Sequence, residues 1–423
     1  MTVTESAPAA PPAAPVAAAT RHRVVIVGAG FGGVACVRDL VRDQRLDVTV
    51  IDRNPYHLFS PLLYQVATAG LPEDDIAHPV RAAVRGARFR RAEVTGVDPD
   101  QRVLTLADGS TLAYDTLVLA TGSVGNDFGV PGVREHAMQM KSLPEARRIR
   151  HALLRTYEEV AAGTRAPAAL HTVVIGGGPT GVEVAGAVAE LQRALSREFP
   201  ELRGQAEVDL IEMGPRILPT FTPASSRHAT DALRRMGVQV MTGSAVAEVT
   251  DVDVALADGR RLAAGVVVWA SGVSVPEPWA SLGETAAGGR LRVAASLQLR
   301  PGIWVVGDMA YAVDGRGRPC PQQAPFAMQG GRHVAQQIRR ELDHQPPTPF
   351  RYRDKGQMAT IGRARAVVEL PGGLRLFGTP AWLAWLALHL AYLAGTRNRI
   401  SVVGDWAWNY VAWSVGSPRP LTE

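Results

Sequence analysis

A chain of 423 residues with 46% hydrophobic and 20% charged residues is long enough for two or three domains with large cores, and its composition excludes a disordered or fibrous protein. The formal charge of +5 and the pI near 9.5 come from scattered arginines rather than a basic stripe, so no nucleic-acid partner is expected. Two distant cysteines, Cys36 and Cys320, form no C-x-x-C pair, which excludes a cysteine zinc site and a local redox disulfide.

Residues 2–20 are almost all Ala, Pro, Thr, Ser and Val, and predict a disordered tail over 1–20 rather than a secretory signal, which carries a basic start and a leucine-rich run. Val24 to Gly33 then reads V-V-I-V-G-A-G-F-G-G. A run of β-branched residues is a buried parallel strand, and Gly28, Gly30 and Gly33 let the backbone turn and approach a pyrophosphate at the next helix N-terminus. A second strand, Val48 to Asp52, ends on a carboxylate placed to accept a hydrogen bond from a ribose hydroxyl. Cys36, just past the loop, reads as a small core residue.

The pattern repeats. His171 to Gly181 gives H-T-V-V-I-G-G-G-P-T-G, with Gly176 lying 148 residues after Gly28 and followed by Gly178 and Gly181. The hairpin signal Leu106 to Gly109 recurs 150 residues on at Leu256 to Gly259, and Ala120-Thr121-Gly122 recurs at the same interval as Ala270-Ser271-Gly272. Two dinucleotide-binding modules of similar layout therefore follow one another. The strand Val208 to Glu212 of the second also ends on an acid, which accepts from a ribose diol and repels a 2′-phosphate, favouring NADH over NADPH. Glu183, two residues past Gly181, is either a proton relay or nicotinamide-placing group, or a first-turn acid complementing the helix dipole.

Ile303 to Asp308, I-W-V-V-G-D, is a further buried strand, followed by a helix from Ala324 to Leu342. Arriving after the second module, it most economically completes the first sheet, which makes the second module an insertion. The expected division is 21–135 with 271–345 for the first module, 136–270 for the second, and 346–423 for a C-terminal region. In that last region Phe350 to Leu370 reads as strands and turns, and Pro380 to Leu393 as an apolar helix too short to span a bilayer. Five of the eight tryptophans fall between Trp382 and Trp413, beside Arg397 and Arg399, which predicts an in-plane amphipathic membrane anchor over residues 380–413. A buried core helix or a dimer interface is the competing reading.

On these residues the chain resembles the type II NADH:quinone oxidoreductases, single-subunit flavoproteins with two dinucleotide-binding domains. The resemblance rests on D-R-N-P-Y-H-L-F-S-P-L-L-Y-Q-V-A-T-A-G-L at Asp52 to Leu71, G-G-G-P-T-G-V-E at Gly176 to Glu183, V-V-G-D-M-A at Val305 to Ala310, K-G-x-M-A-T-I-G-R at Lys355 to Arg363 and H-L-x-Y-L-x-G-x-R-N-R at His389 to Arg399. It implies an α/β fold of two Rossmann-like domains, the NAD domain inserted in the FAD domain, with a C-terminal membrane-associating segment. It further implies FAD on the first module, held at Gly28, Gly30, Gly33, Asp52, Thr121, Gly122, Asp308 and the helix start at Ala324. NADH is implied on the second, at Gly176, Gly178, Gly181, Glu212 and Gly272. The implied activity is electron transfer from NADH through FAD to a quinone, without proton pumping, by a peripheral enzyme on the cytoplasmic side of the membrane, as a monomer or homodimer. Tyr64 and Gln65 are expected to pack near the flavin; His57 and His389 match family positions without a catalytic role.

One position departs. The family's A-Q-x-A-x-Q appears here as Ala324-Pro325-Phe326-Ala327-Met328-Gln329. Proline suits a helix start, but a hydrogen-bonding amide is gone, leaving Gln329 as the expected contact to a quinone carbonyl. The alternatives are a diverged soluble flavoprotein acting on a specialised quinone-like or aromatic metabolite, and a non-catalytic NADH-responsive binding protein.

Overall fold

A computed structural model describes residues 21–415 apart from 287 and 316, with side chains as far as residue 408. The tail expected over 1–20 and the side chains of Tyr410 and Trp413 lie outside the described residues.

Two parallel sheets organise the chain. The first has six strands in the order Gln298–Arg300, Ile303–Val305, Thr116–Leu119, His22–Val27, Leu46–Asp52 and Arg88–Arg91. All pairs are parallel except the Gln298–Arg300 edge. The second has five parallel strands: Met138–Gln139, Val266–Trp269, Thr172–Ile175, Val208–Glu212 and Val238–Thr242. The returning strand Ile303–Val305 pairs with Thr116–Leu119 in the first sheet, Ile303 opposite Leu117, so the second sheet is inserted into the first fold. The outgoing and returning connections run antiparallel, Val124–Gly125 against Val273–Ser274.

Central strands buried on both faces must be apolar throughout, and Val24, Val25, Ile26 and Val27 are all buried, as are Val173, Val174 and Ile175. Small residues then fix how the helices lie. The helix Phe31–Leu40 crosses Ala324–Leu342 so closely that a Cβ on Gly331 would meet the Gly32 carbonyl oxygen at 2.2 Å. This contact places the Ala324 helix start beside the first glycine loop. The helix Leu143–Ala161 opens with a capping box, the Ser142 hydroxyl accepting from Glu145 N–H and donating to its carboxylate.

The C-terminal region is an antiparallel meander, Gln357–Gly362, Arg365–Glu369 and Arg375–Phe377, followed by helices Gly378–Tyr392 and Thr396–Val415. It docks on the second module through the helix Pro179–Glu198, where a Cβ on Gly186 would meet the Ile361 carbonyl oxygen at 1.7 Å. The helix expected to be amphipathic is apolar on all sides. Ala381 and Trp385 are buried against protein, with Trp385 only 1% exposed, while Leu383 on the opposite side is 55% exposed. Trp385 thus belongs to the core, while Leu383 and Leu388 lie on the surface. Among the described residues no helix is long and apolar enough to cross a membrane.

Candidate active site

A cleft of about 1360 Å³ runs from the first glycine loop, past the start of the helix after the second loop, to the C-terminal helix at Leu388, His389 and Tyr392. It brings together Gly28, Gly30, Asp52, Thr121, Gly122, Glu183, Asp308 and Ala324.

The two glycine loops share one construction. Gly28 has φ of +105°, and a Cβ there would sit 2.3 Å from the Ala120 carbonyl oxygen; a Cβ on Gly33 would sit 1.9 Å from that of Gly28. In the second loop Gly176 has φ of +111°, and a Cβ on Gly181 would lie 1.8 Å from the Gly176 carbonyl oxygen. These four glycines close the turn against strand and helix. The middle glycines do something else: a Cβ on Gly30 meets nothing nearer than 3.9 Å, and one on Gly178 meets nothing within 4 Å. Their open sides are where a side chain would obstruct a pyrophosphate, so the first cradle fits FAD and the second fits NADH.

Each strand-end acid is tied to its own loop. Asp52 accepts from Ala29 N–H at 2.7 Å and Asn54 N–H at 2.8 Å; Glu212 accepts from Gly177 N–H at 2.7 Å and Gly214 N–H at 2.6 Å. One set of bonds thus fixes the loop and orients the carboxylate that would face a ribose. Burial pushes Asp52 up, opposed by those two N–H groups and Arg53. Gly176, Gly178, Gly181, Glu212 and Gly272 do not line the main cleft; they form the second cradle, where the Phe128 ring packs against Gly272.

Gly307, at φ +72°, turns the chain so that Asp308 enters the cleft. The Ser123 hydroxyl donates to Asp308 Oδ2 at 3.1 Å, and Lys141 Nζ donates to Ser123 Oγ at 3.4 Å. Lys141 lies on the cleft wall with its side chain still open to solvent, and the partial desolvation of its ammonium lowers it against the pull of Asp308 and Glu145. Neither Ser123 nor Lys141 was legible as a site residue. The nearest signals are the preceding Ala-Thr-Gly and the capping box that begins one residue after Lys141. His57 was read only as a family position; its Nδ1 bonds the Ala29 carbonyl at 2.8 Å, and burial lowers it. It braces the first loop as a neutral ring.

Glu183 sits where the cleft meets a smaller cavity of about 90 Å³ on its other side, and is otherwise enclosed by protein. Burial pushes its carboxyl up to about 8. Thr360 N–H, donating at 3.4 Å, and the neighbouring Trp385 indole oppose this. Tyr64 lines both cavities, and its hydroxyl accepts from Gln65 Nε2 at 2.7 Å.

Gln329 does not reach the cleft. Its Nε2 donates to the Arg353 carbonyl at 3.0 Å and its Oε1 accepts from Arg353 N–H at 2.9 Å, so both ends of the amide are spent on one backbone unit. The expected quinone contact from this residue is corrected to a packing role. Gln139, Gln322, Gln323 and Gln357 line the cleft wall; Gln322 donates to the Asp308 carbonyl at 3.0 Å, and Gln323 is the N-cap of the Ala324 helix. Pro325 occupies the first turn of that helix, where its missing N–H costs nothing.

Residues 22–331 match the family model of the pyridine nucleotide-disulphide oxidoreductases, and residues 355–412 match the NDH2 C-terminal domain. The chain is 37% identical to the type II NADH:quinone oxidoreductase Ndh of Mycobacterium tuberculosis, over 93% of this chain and 89% of that one. It is 27% identical to the type II NADH:quinone oxidoreductase of Staphylococcus haemolyticus, over 81% and 88%. The fold is that of the NDH2 of Plasmodium falciparum solved in complex with NADH, with a TM-score of 0.84 at 19% identity, covering 92% of this chain and 98% of that one.

Proposed function

The chain belongs to the type II NADH:quinone oxidoreductases of the pyridine nucleotide-disulphide oxidoreductase family, and from that premise we propose how its residues divide the work. It is an FAD-dependent enzyme that passes electrons from NADH to a quinone. Bound FAD supplies the exchange between a two-electron donor and an acceptor that takes electrons singly. The first cradle holds FAD through the open face of Gly30, the Asp52 carboxylate, Thr121, Gly122, the Ala324 helix start and Asp308. Ser123 and Lys141 set the charge and direction of Asp308. The second cradle holds NADH through Gly178, Glu212 and Gly272. Glu183 stands at the junction of the cavities as a neutral acid near pH 7 that donates and recovers a proton.

The observation that carries this reading is one cleft joining the first cradle, the start of the Pro179–Glu198 helix and the apolar C-terminal helix. A nicotinamide reaches it from one side and a lipid-soluble acceptor from the other, so proximity does most of the catalysis. The exposed apolar residues Leu383, Leu388, Tyr392, Ile400, Val403 and Trp408 form a face suited to the bilayer surface on the cytoplasmic side, where NADH is available. The test is NADH oxidation by the FAD-loaded protein with short-chain menaquinone and ubiquinone analogues. Turnover dependent on the quinone is expected; its absence with every analogue overturns the reading.

A further inference from the structure

The two modules echo one another, and a matched pair of glycines shows where they differ. Gly122 and Gly272 lie 150 residues apart and carry the same left-handed backbone, with φ of +72° and +71°. Each follows the strand that pairs with the glycine-loop strand of its sheet, Thr116–Leu119 in the first and Val266–Trp269 in the second. Gly122 lies on the wall of the main cleft, and a Cβ there would meet nothing within 4 Å. A Cβ on Gly272 would instead meet Cε2 and Cζ of Phe128 at 2.3 Å. The face that is open in the first cradle is covered by an aromatic ring in the second.

Phe128 is an unusual residue to find there. It is 61% exposed and has φ of +52°, a left-handed backbone that disfavours a bulky side chain and persists only where its surroundings hold it. The loop supplies that hold. Phe128 N–H donates to Asn126 Oδ1 at 2.8 Å, Gly129 N–H donates to Asp127 Oδ1 at 2.9 Å, and Arg134 pairs with Asp127. Asn126 is tied in turn to the end of the second sheet: its N–H donates to the Gly272 carbonyl at 3.3 Å, and its carbonyl accepts from the Trp269 indole N–H at 2.9 Å. The backbone is therefore fixed beside Gly272, while the ring, wet over most of its surface, is free to change rotamer.

We propose that the Phe128 side chain is a gate on the second cradle, lying on Gly272 while the cradle is empty and turning outward when the nicotinamide dinucleotide binds. The proposal rests on the reading of that cradle as the NADH site. The difference between the modules follows from what each one holds. FAD stays through every turnover and is served by an open face. NADH enters and NAD⁺ leaves in each cycle, and a ring competing for Gly272 weakens the apparent affinity by the fraction of time it lies closed, which favours release.

The test reads NAD⁺ binding rather than turnover, by titration calorimetry on the full-length oxidised flavoprotein, with concentrations referred to bound flavin. Phe128→Ala keeps the Cβ and every backbone bond of the loop and removes only the ring. The ring is held by the smaller part of its surface, so the Kd for NAD⁺ is expected to fall by about fivefold in Phe128→Ala and by less in Phe128→Leu. In otherwise unaltered protein carrying a para-fluorine on the Phe128 ring alone, the fluorine resonance is expected to move toward its solvent-exposed position as NAD⁺ saturates. A Phe128→Ala protein that binds NAD⁺ no more tightly than the wild type, or a fluorine resonance unmoved at saturation, makes the ring a fixed wall and overturns the gate. A wild type that neither binds NAD⁺ nor is reduced by NADH overturns the reading of the second cradle, and the gate falls with it.

Discussion

The Trp406 indole N–H donates a hydrogen bond of 2.9 Å to the side-chain carbonyl of Gln65, joining the last helix to the wall of the cleft across 341 residues of sequence. The same Gln65 amide donates to the Tyr64 hydroxyl at 2.7 Å, so the aromatic C-terminus and the site share one chain of bonds. Trp406→Phe keeps the ring and removes the donor, leaving a half-buried carbonyl unpaired at about 1 kcal/mol. A drop in Tm of ~2 °C is expected in a thermal melt of the holoprotein. No drop would mean that water replaces the indole freely.

Asp308 is held by Ser123, with Lys141 behind it, so its carboxylate is fixed before any ligand arrives. A charged hydrogen bond to a buried hydroxyl contributes about 1.5–3 kcal/mol, or roughly tenfold to a hundredfold in affinity. Asp308→Ala should therefore lose FAD on gel filtration, with Ser123→Ala losing less. The ratio of flavin to protein absorbance reports it, and full flavin content in Asp308→Ala would remove Asp308 from the cofactor site.

Much of this arrangement is legible from local patterns. The runs Val24 to Val27 and Val173 to Ile175, each ending in glycines, mark the two central strands because a strand buried on both faces has no other way to be written. The return of Ile303–Val305 to the first sheet follows from its late place in the chain. What stays hidden depends on contacts distant in sequence. Gln329 looks like a free amide on a helix until Arg353 folds back on it. Trp385 and Leu383 look alike in an apolar run, and only the docked sheet decides that one is core and the other surface. Ser123 and Lys141 carry no motif, because their meaning comes from Asp308, which follows Ser123 by 185 residues in the chain.

Glu183 gives a signature in pH. In the fold its carboxyl stays protonated up to about 8, whereas in the unfolded chain it ionises near ~4.3. Between these values the folded state holds the extra proton, so this group's contribution to stability falls as pH rises and levels off above about 8. Glu183→Gln removes that slope. The Tm of the variant minus that of the wild type should climb between pH 5 and pH 8 and then flatten. Subtraction cancels the similar slopes from the raised Glu190 and Asp209. A difference independent of pH would show that Glu183 ionises freely in the fold.

Glu212 fixes its loop and is the acid proposed to face the ribose, so its replacement has two effects. Glu212→Gln keeps one acceptor for the Gly177 and Gly214 N–H groups but removes the negative charge. The preference for NADH over NADPH in kcat/KM should fall by about tenfold, mostly through better use of NADPH. Steady-state kinetics with both nucleotides decide it. An unchanged preference assigns discrimination to another residue of the second cradle.

Membrane binding is best tested without deleting the C-terminal helices, because Ala381 and Trp385 belong to the core and their removal would expose it. The outward residues can be changed instead: Leu383, Ile400 and Trp408 are 55%, 69% and 68% exposed. Each apolar side chain inserted in the bilayer boundary contributes roughly 1.5 kcal/mol or more, so replacing all three by serine should weaken vesicle binding by at least ~100-fold. These positions make few protein contacts, so Tm should move little. Flotation with anionic vesicles reads the binding, and sedimentation of the same samples reads the competing use of this face, a contact between two copies. If the wild type floats and the triple variant floats equally well, the bilayer meets another surface. If neither floats and the wild type alone is dimeric, the apolar face is a subunit interface.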